Sequence, residues 1–171
     1  MKTEKQKELV RSFLSTMPNE RRPLYQEIIT YLSELGYNPQ KEKANLSFKH
    51  DSHNKQMAKM GITKGKETDP FFALRFSACQ GYSQRFTDIV STAIANHPKK
   101  TAHCLSGQCD YCSGEPHTHV YSVMFDNGDI KSHCGAYSLE IPNLCMGDIE
   151  EIKYLIKEEH EYLLQHEVRT V

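Results

Sequence analysis

This sequence of 171 residues has no tryptophan, and no apolar run in it approaches the ~18 residues that a membrane-spanning helix needs. The segment Met1-Lys-Thr-Glu-Lys-Gln-Lys7 is polar, with no apolar centre and no small-residue cleavage site, so a secretory signal is not expected. No Gly-rich phosphate loop, H-E-x-x-H, G-x-S-x-G or kinase-like set is present, which removes the commonest sequence routes to a catalytic assignment. Internal repeats and low-complexity tracts are missing as well.

A dominant charge is also lacking, since the formal net charge is −1. That balance hides an asymmetry. Residues 1–66 carry 13 Lys/Arg against 7 Asp/Glu, and residues 67–171 carry 8 against 15. The plainer reading is that the two halves attract each other within the fold. A basic face for an anionic partner needs clustered cations, and here they are scattered.

What is present describes a globular chain. Hydrophobic content is 38% and charged content 25%, and the length suits one domain or one domain with a small appendage. A cytoplasmic location without membrane contact is the expectation. Thiols stay reduced there, so clustered cysteines read as ligands sooner than as disulfides.

Leu9, Val10, Phe13 and Leu14 predict a helix over 3–15 that ends at Pro18. Leu24, Ile28, Tyr31, Leu32 and Leu35 predict a second, with Asn19 as N-cap and Gly36 as its C′ residue. Residues 37–43 read as a polar connection. Strands are expected at 45–50, 56–63 and 71–78, with a turn-rich loop at 64–70. Alternation places Arg75 opposite Phe72, Leu74 and Phe76, on a solvated strand face. Ser83 starts a helix that stops before Pro98. Val120–Phe125 and Ile130–Cys134 flank Asn127-Gly128, a hairpin signal. Asp148 opens a long closing helix to about Gln165.

These elements predict an α+β fold: two N-terminal helices, a small mostly antiparallel sheet with one helix, a zinc-ribbon-like hairpin and a long C-terminal helix. The expected division is a core at 1–98, a cysteine-rich segment at 99–146, and a helix at 147–171 packing back to give one compact unit.

The chemistry concentrates in Cys104-Leu-Ser-Gly-Gln-Cys109-Asp-Tyr-Cys112, followed by Cys134 beyond the hairpin. Two thiolates two residues apart can grip one ion from a tight turn, and a glycine just after them lets the chain reverse. With Asn127-Gly128 as a two-residue turn, Tyr121 would face Cys134. Cys134 would then share a face with His117 and His119.

Cys109-Asp-Tyr-Cys112-Ser-Gly114 resembles a zinc knuckle, and residues 104–135 resemble a zinc ribbon whose second arm offers one cysteine and not a pair. The resemblance implies a closed tetrahedral Zn2+ site of Cys104, Cys109, Cys112 and Cys134, with His133, His119, His117 and His103 as substitute ligands. The same spacing is similar to the cluster loop of plant-type ferredoxins, which implies a [2Fe–2S] cluster as the alternative cofactor. Only 21 residues, holding a tight hairpin, separate Cys112 from Cys134, and that departs from the ferredoxin pattern. A thioredoxin-like pair would want a helix after Cys112, and Ser-Gly-Glu-Pro denies one.

Cys79 and Cys145 read as buried apolar residues. His160 and His166 suit the negative end of the closing helix. Tyr111 is expected to cover the metal.

The function these signals favour is a binding or regulatory module with a structural thiolate zinc, acting on an unidentified small molecule or protein. The rivals are a metalloenzyme with an open Cys/His zinc, a [2Fe–2S] redox protein, and a nucleic-acid-associated zinc ribbon. The loop 106–113 holds Asp110 and no Lys or Arg, which argues against phosphate contact there.

Overall fold

A computed structural model describes residues 1–63, 69–109, 111–112 and 114–166. The fold is α+β. Helices α1 (Glu4–Ser15) and α2 (Arg22–Glu34) lead into strands β1 (Tyr37–Glu42), β2 (Asn45–His50), β3 (Gln56–Ile62) and β4 (Pro70–Leu74). Helix α3 (Gln84–Asn96) follows, then the hairpin β5 (Val120–Met124) and β6 (Ile130–Cys134), the two-residue strand β7 (Leu139–Glu140), and helix α4 (Ile149–Gln165). The main sheet runs β1-β2-β3-β4-β7, every pair antiparallel, and β5-β6 form a separate two-stranded sheet. No helix among the described residues is long and apolar enough to cross a membrane.

Local chemistry explains most boundaries. Thr3 caps α1, its hydroxyl accepting from the Gln6 N–H while the Gln6 side chain accepts from the Thr3 N–H. The N-cap of α2 is Arg21 and not Asn19, because Pro23 suits the first turn and Asn19 is used one turn earlier, accepting from Arg22 N–H. Gly36 follows the C-cap of α2 with φ +87°, as the left-handed helix end expects.

Residues 37–42 are a strand and not a polar connection. Tyr37, Asn38 and Pro39 are buried while Gln40, Lys41 and Glu42 are exposed, so half of the strand shows no apolar pattern. Its edge position tolerates Pro39. Strand β4 ends at Leu74, four residues short of the expected Ala78. Residues 64–68 of the expected loop lie outside the described residues.

One continuous core runs from Val10 on α1 to Leu163 on α4, and Tyr121 of the hairpin belongs to it. Phe76 is fully buried, edge-on to Tyr82, Phe86 and Tyr121. The Tyr121 hydroxyl accepts from the Phe76 N–H at 3.0 Å and donates to the Tyr137 carbonyl at 3.1 Å. Burial, then Glu159 nearby, holds its pKa well above that of an ordinary phenol. Tyr121→Phe therefore strands one buried donor and one acceptor. It is expected to cost about 1–3 kcal/mol, read as a fall in Tm of roughly 2–4 °C per kcal/mol.

The hairpin register differs from expectation by one residue. Val120 pairs with Cys134 and Tyr121 with His133. The loop has three residues, Asp126, Asn127 and Gly128, because the Gly128 N–H bonds the Phe125 carbonyl and Gly128 takes φ +83°. A one-residue slip exchanges faces, so Tyr121 turns into the core.

Candidate metal centre

The four clustered cysteines come from three pieces of backbone that local bonding draws together. Residues 100–102 run along β6: Cys134 N–H donates to the Lys100 carbonyl at 2.9 Å, and Ala102 N–H to the Ser132 carbonyl at 3.2 Å. Thr101 bridges His133 between them. This bridged segment delivers Cys104, on a 3-10 turn over His103–Ser106, beside Cys134. Gly107 ends that turn with φ +70° and leads to Cys109. Past Cys112, Gly114 takes φ +93°, and a Cβ there would run into the Tyr162 hydroxyl on α4 and the ring of His166, its C-cap. Asp110 and Ser113 lie outside the described residues.

Cys104, Cys109, Cys112 and Cys134 line one cavity of about 140 Å³, together with His103, His119 and the rim residues Lys99, Lys100, Tyr111 and Tyr137. Burial raises the Cys104 thiol, with Cys134 and Cys109 adding to it. Burial also raises Cys112, against the opposing pull of Arg75. Among the described residues, no three His, Cys, Asp or Glu donors are drawn closely enough to hold an ion. The thiols share a cavity, not a coordination sphere. Closing such a set requires thiolates to approach one another, and the attraction for that comes from a cation.

The candidate histidines separate into two groups. His133 is buried away from the cavity, its Nε2 on the His97 carbonyl at 2.7 Å. His117 is exposed on a 3-10 turn over Pro116–Thr118, so it does not share a strand face with Cys134. His103 and His119 do reach the cavity. His119 is 1% exposed. Its Nδ1 meets the Tyr162 hydroxyl at 2.9 Å, while its Nε2 is buried without a hydrogen-bond partner. Burial, then Arg75, lowers its pKa and favours the neutral ring.

Four residues around the cavity take places that the sequence did not lead us to expect. Arg75 and Glu159 form a buried ion pair at 2.6 Å, the side chains 5% and 0% exposed. The solvated position expected for Arg75 is therefore corrected: its N–H still bonds the Met57 carbonyl of β3 at 2.8 Å, and its side chain is covered by α4, which supplies Glu159. Glu159 also accepts from Ala78 N–H at 2.7 Å. Burial works against the Arg75 charge, and Glu159, with Tyr121 and Cys112, more than restores it. Tyr162, one turn further along α4, bonds Thr118 as well as His119. Gly135 closes the packing, since a Cβ there would strike the His119 carbonyl and Ser77.

Elsewhere, Cys79 is buried but Cys145 is exposed, contrary to expectation. Cys145 precedes the turn leading into α4, where its N–H donates to Asp148 Oδ2 at 2.9 Å and its carbonyl accepts from the Asp148 N–H at 3.0 Å. Tyr111 is 75% exposed at the cavity rim, not folded over it. His50 and His53 stack at 4.2 Å, and His50 lies 5.5 Å from His160, all around Tyr37. In that cluster His50 Nδ1 accepts from Ser52 N–H and His53 Nδ1 from Lys55 N–H. The Nδ1 atoms of both rings are thus engaged by backbone donors and are not open to an ion.

Comparison with known proteins finds no matching family model, no matching curated protein and no matching solved structure.

Proposed function

We propose that this chain is a binding or regulatory module built around a structural zinc held by Cys104, Cys109, Cys112 and Cys134. The observation that carries this reading is the convergence on one cavity of thiols from both ends of a 31-residue segment, Cys104 to Cys134. Soft thiolates at that spacing suit Zn2+. The donors fit in charge as well. Four thiolates around Zn2+ leave two negative charges, and Arg75 lies near Cys112 with Lys55 beyond it.

A structural ion here would brace a second feature. A groove of about 770 Å³ lies between α3 and the β7 edge, lined by Asp88, Thr92, Asn96, His97, Lys100, Ser138 and Glu140 among others. Its volume falls in the range of small-ligand sites. Its wall is tied to the cysteine segment twice, through His133 Nε2 on the His97 carbonyl and Cys134 N–H on the Lys100 carbonyl. The metal would hold that wall in place, and the groove would take the ligand.

Removing zinc with a chelator is expected to speed hydrogen exchange across 99–137 and in the last two turns of α4, where Tyr162 and His166 sit. Strands β1 to β4 should stay protected. Exchange measured by mass spectrometry checks this. Uniform loosening of the whole chain, or none, would contradict a local structural site.

A further inference from the structure

The cavity offers six soft or borderline donors, and a tetrahedral ion takes four. Beyond the four thiols stand His103, which is exposed, and His119, which is buried. A buried imidazole with one nitrogen held by a hydroxyl and the other unpartnered in a cleft of thiols has the form of a metal ligand with its outer-shell support. The support comes from α4: Tyr162 bonds His119 Nδ1 at 2.9 Å and Thr118 Oγ1 at 2.9 Å. With Nδ1 donating to that hydroxyl, the Nε2 lone pair faces the cavity.

We propose that His119 is a reserve ligand of the zinc site and that Cys104 is the thiolate it replaces. The inference rests on the zinc reading above. The anchoring of the four cysteines selects Cys104. Cys109 and Cys112 form a two-residue chelate loop. Cys134 is fixed in β6 by its bond to Lys100 and by Gly135, which packs on the His119 carbonyl. Cys104 stands apart on a one-turn 3-10 helix between exposed His103 and Leu105. The exchange breaks the Cys104 Sγ–zinc bond and forms the His119 Nε2–zinc bond. The departing thiolate takes a proton from water, and no electron moves. Cys104 then becomes a thiol at the cavity mouth, open to modification without loss of the metal. The site would thus couple thiol chemistry to the hold of α4 on the hairpin.

Cobalt(II) and zinc titrations of the full chain test this with four proteins: wild type, Cys104→Ser, His119→Gln and the double variant. Cobalt reports its ligands by colour. In Cys104→Ser the metal should stay, within about tenfold of wild-type affinity, with sulfur-to-cobalt absorption lower by roughly a quarter, one thiolate in four. His119→Gln should keep the wild-type spectrum, which also shows that the variant folds. The double variant should lose at least about 100-fold in affinity. If Cys104→Ser and the double variant bind equally, or if Cys104→Ser alone abolishes binding, His119 is not a ligand and the inference falls while the zinc reading stands. If wild type binds neither metal, both fall together.

Discussion

Cys112→Ser is expected to take zinc from about one ion per chain to near zero and to open residues 99–135 to protease. A structural zinc supplies about 10–16 kcal/mol to the segment it folds, and that energy depends on the full ligand set. In the proposed site Cys112 pairs with Cys109 as a two-residue chelate, and it lies within reach of the Arg75 charge. Its loss cannot be made good by His119 alone, because the chelate loop then holds the ion by one arm. The rest of the segment has little to fall back on: residues 103–109 are nearly all exposed, and Cys109 is itself exposed. Cys145→Ser is the control. Cys145 lies outside the cavity, and serine keeps the backbone bonds to Asp148 on the turn before α4. Limited proteolysis with metal analysis on both variants checks the pair, and equal zinc retention in both would contradict the assignment.

Glu159→Gln is expected to be the most damaging single change outside the four clustered cysteines. The carboxylate is fully buried, bonds the Arg75 guanidinium at 2.6 Å and accepts from Ala78 N–H at 2.7 Å. Glutamine keeps the shape but leaves the Arg75 charge uncompensated in the core. Breaking such a pair costs about 3–5 kcal/mol, which at roughly 2–4 °C per kcal/mol lowers Tm by about 6–20 °C. Adding Arg75→Met to Glu159→Gln should recover part of the loss, because the stranded charge is gone. A thermal melt of the single and double variants measures this. A single variant that melts within about 2 °C of wild type would show that the pair contributes little.

The α+β class, the helices and most strands were legible in the sequence because they follow apolar periodicity. Asn45–His50 and Ile130–Cys134 are strands at the expected bounds, and α1 and α4 end within a residue or two of expectation. Strand β1 was not legible, since its outer half is polar and its pairing with β2 is a tertiary fact. The hairpin register was missed because Asn-Gly signals a two-residue turn, whereas Gly128 here serves the left-handed position of a three-residue loop. The four cysteines could be grouped by spacing. What surrounds them could not, with one exception. Glu159 falls on the buried stripe of α4 with Ile152, Leu155, Ile156 and Leu163. A carboxylate on an apolar helix face demands a buried cationic partner, a signal that the expected solvated position of Arg75 left unused. Tyr162 and the orientation of His119 depend on how α4 docks, which no local pattern encodes.

Metal content of untagged protein purified without oxygen, with an absorption spectrum of the same sample, tests the central claim most directly. About one zinc per chain and a colourless solution is the predicted result. Iron with sulfide and a brown colour, or no metal at all after anaerobic purification, would contradict it.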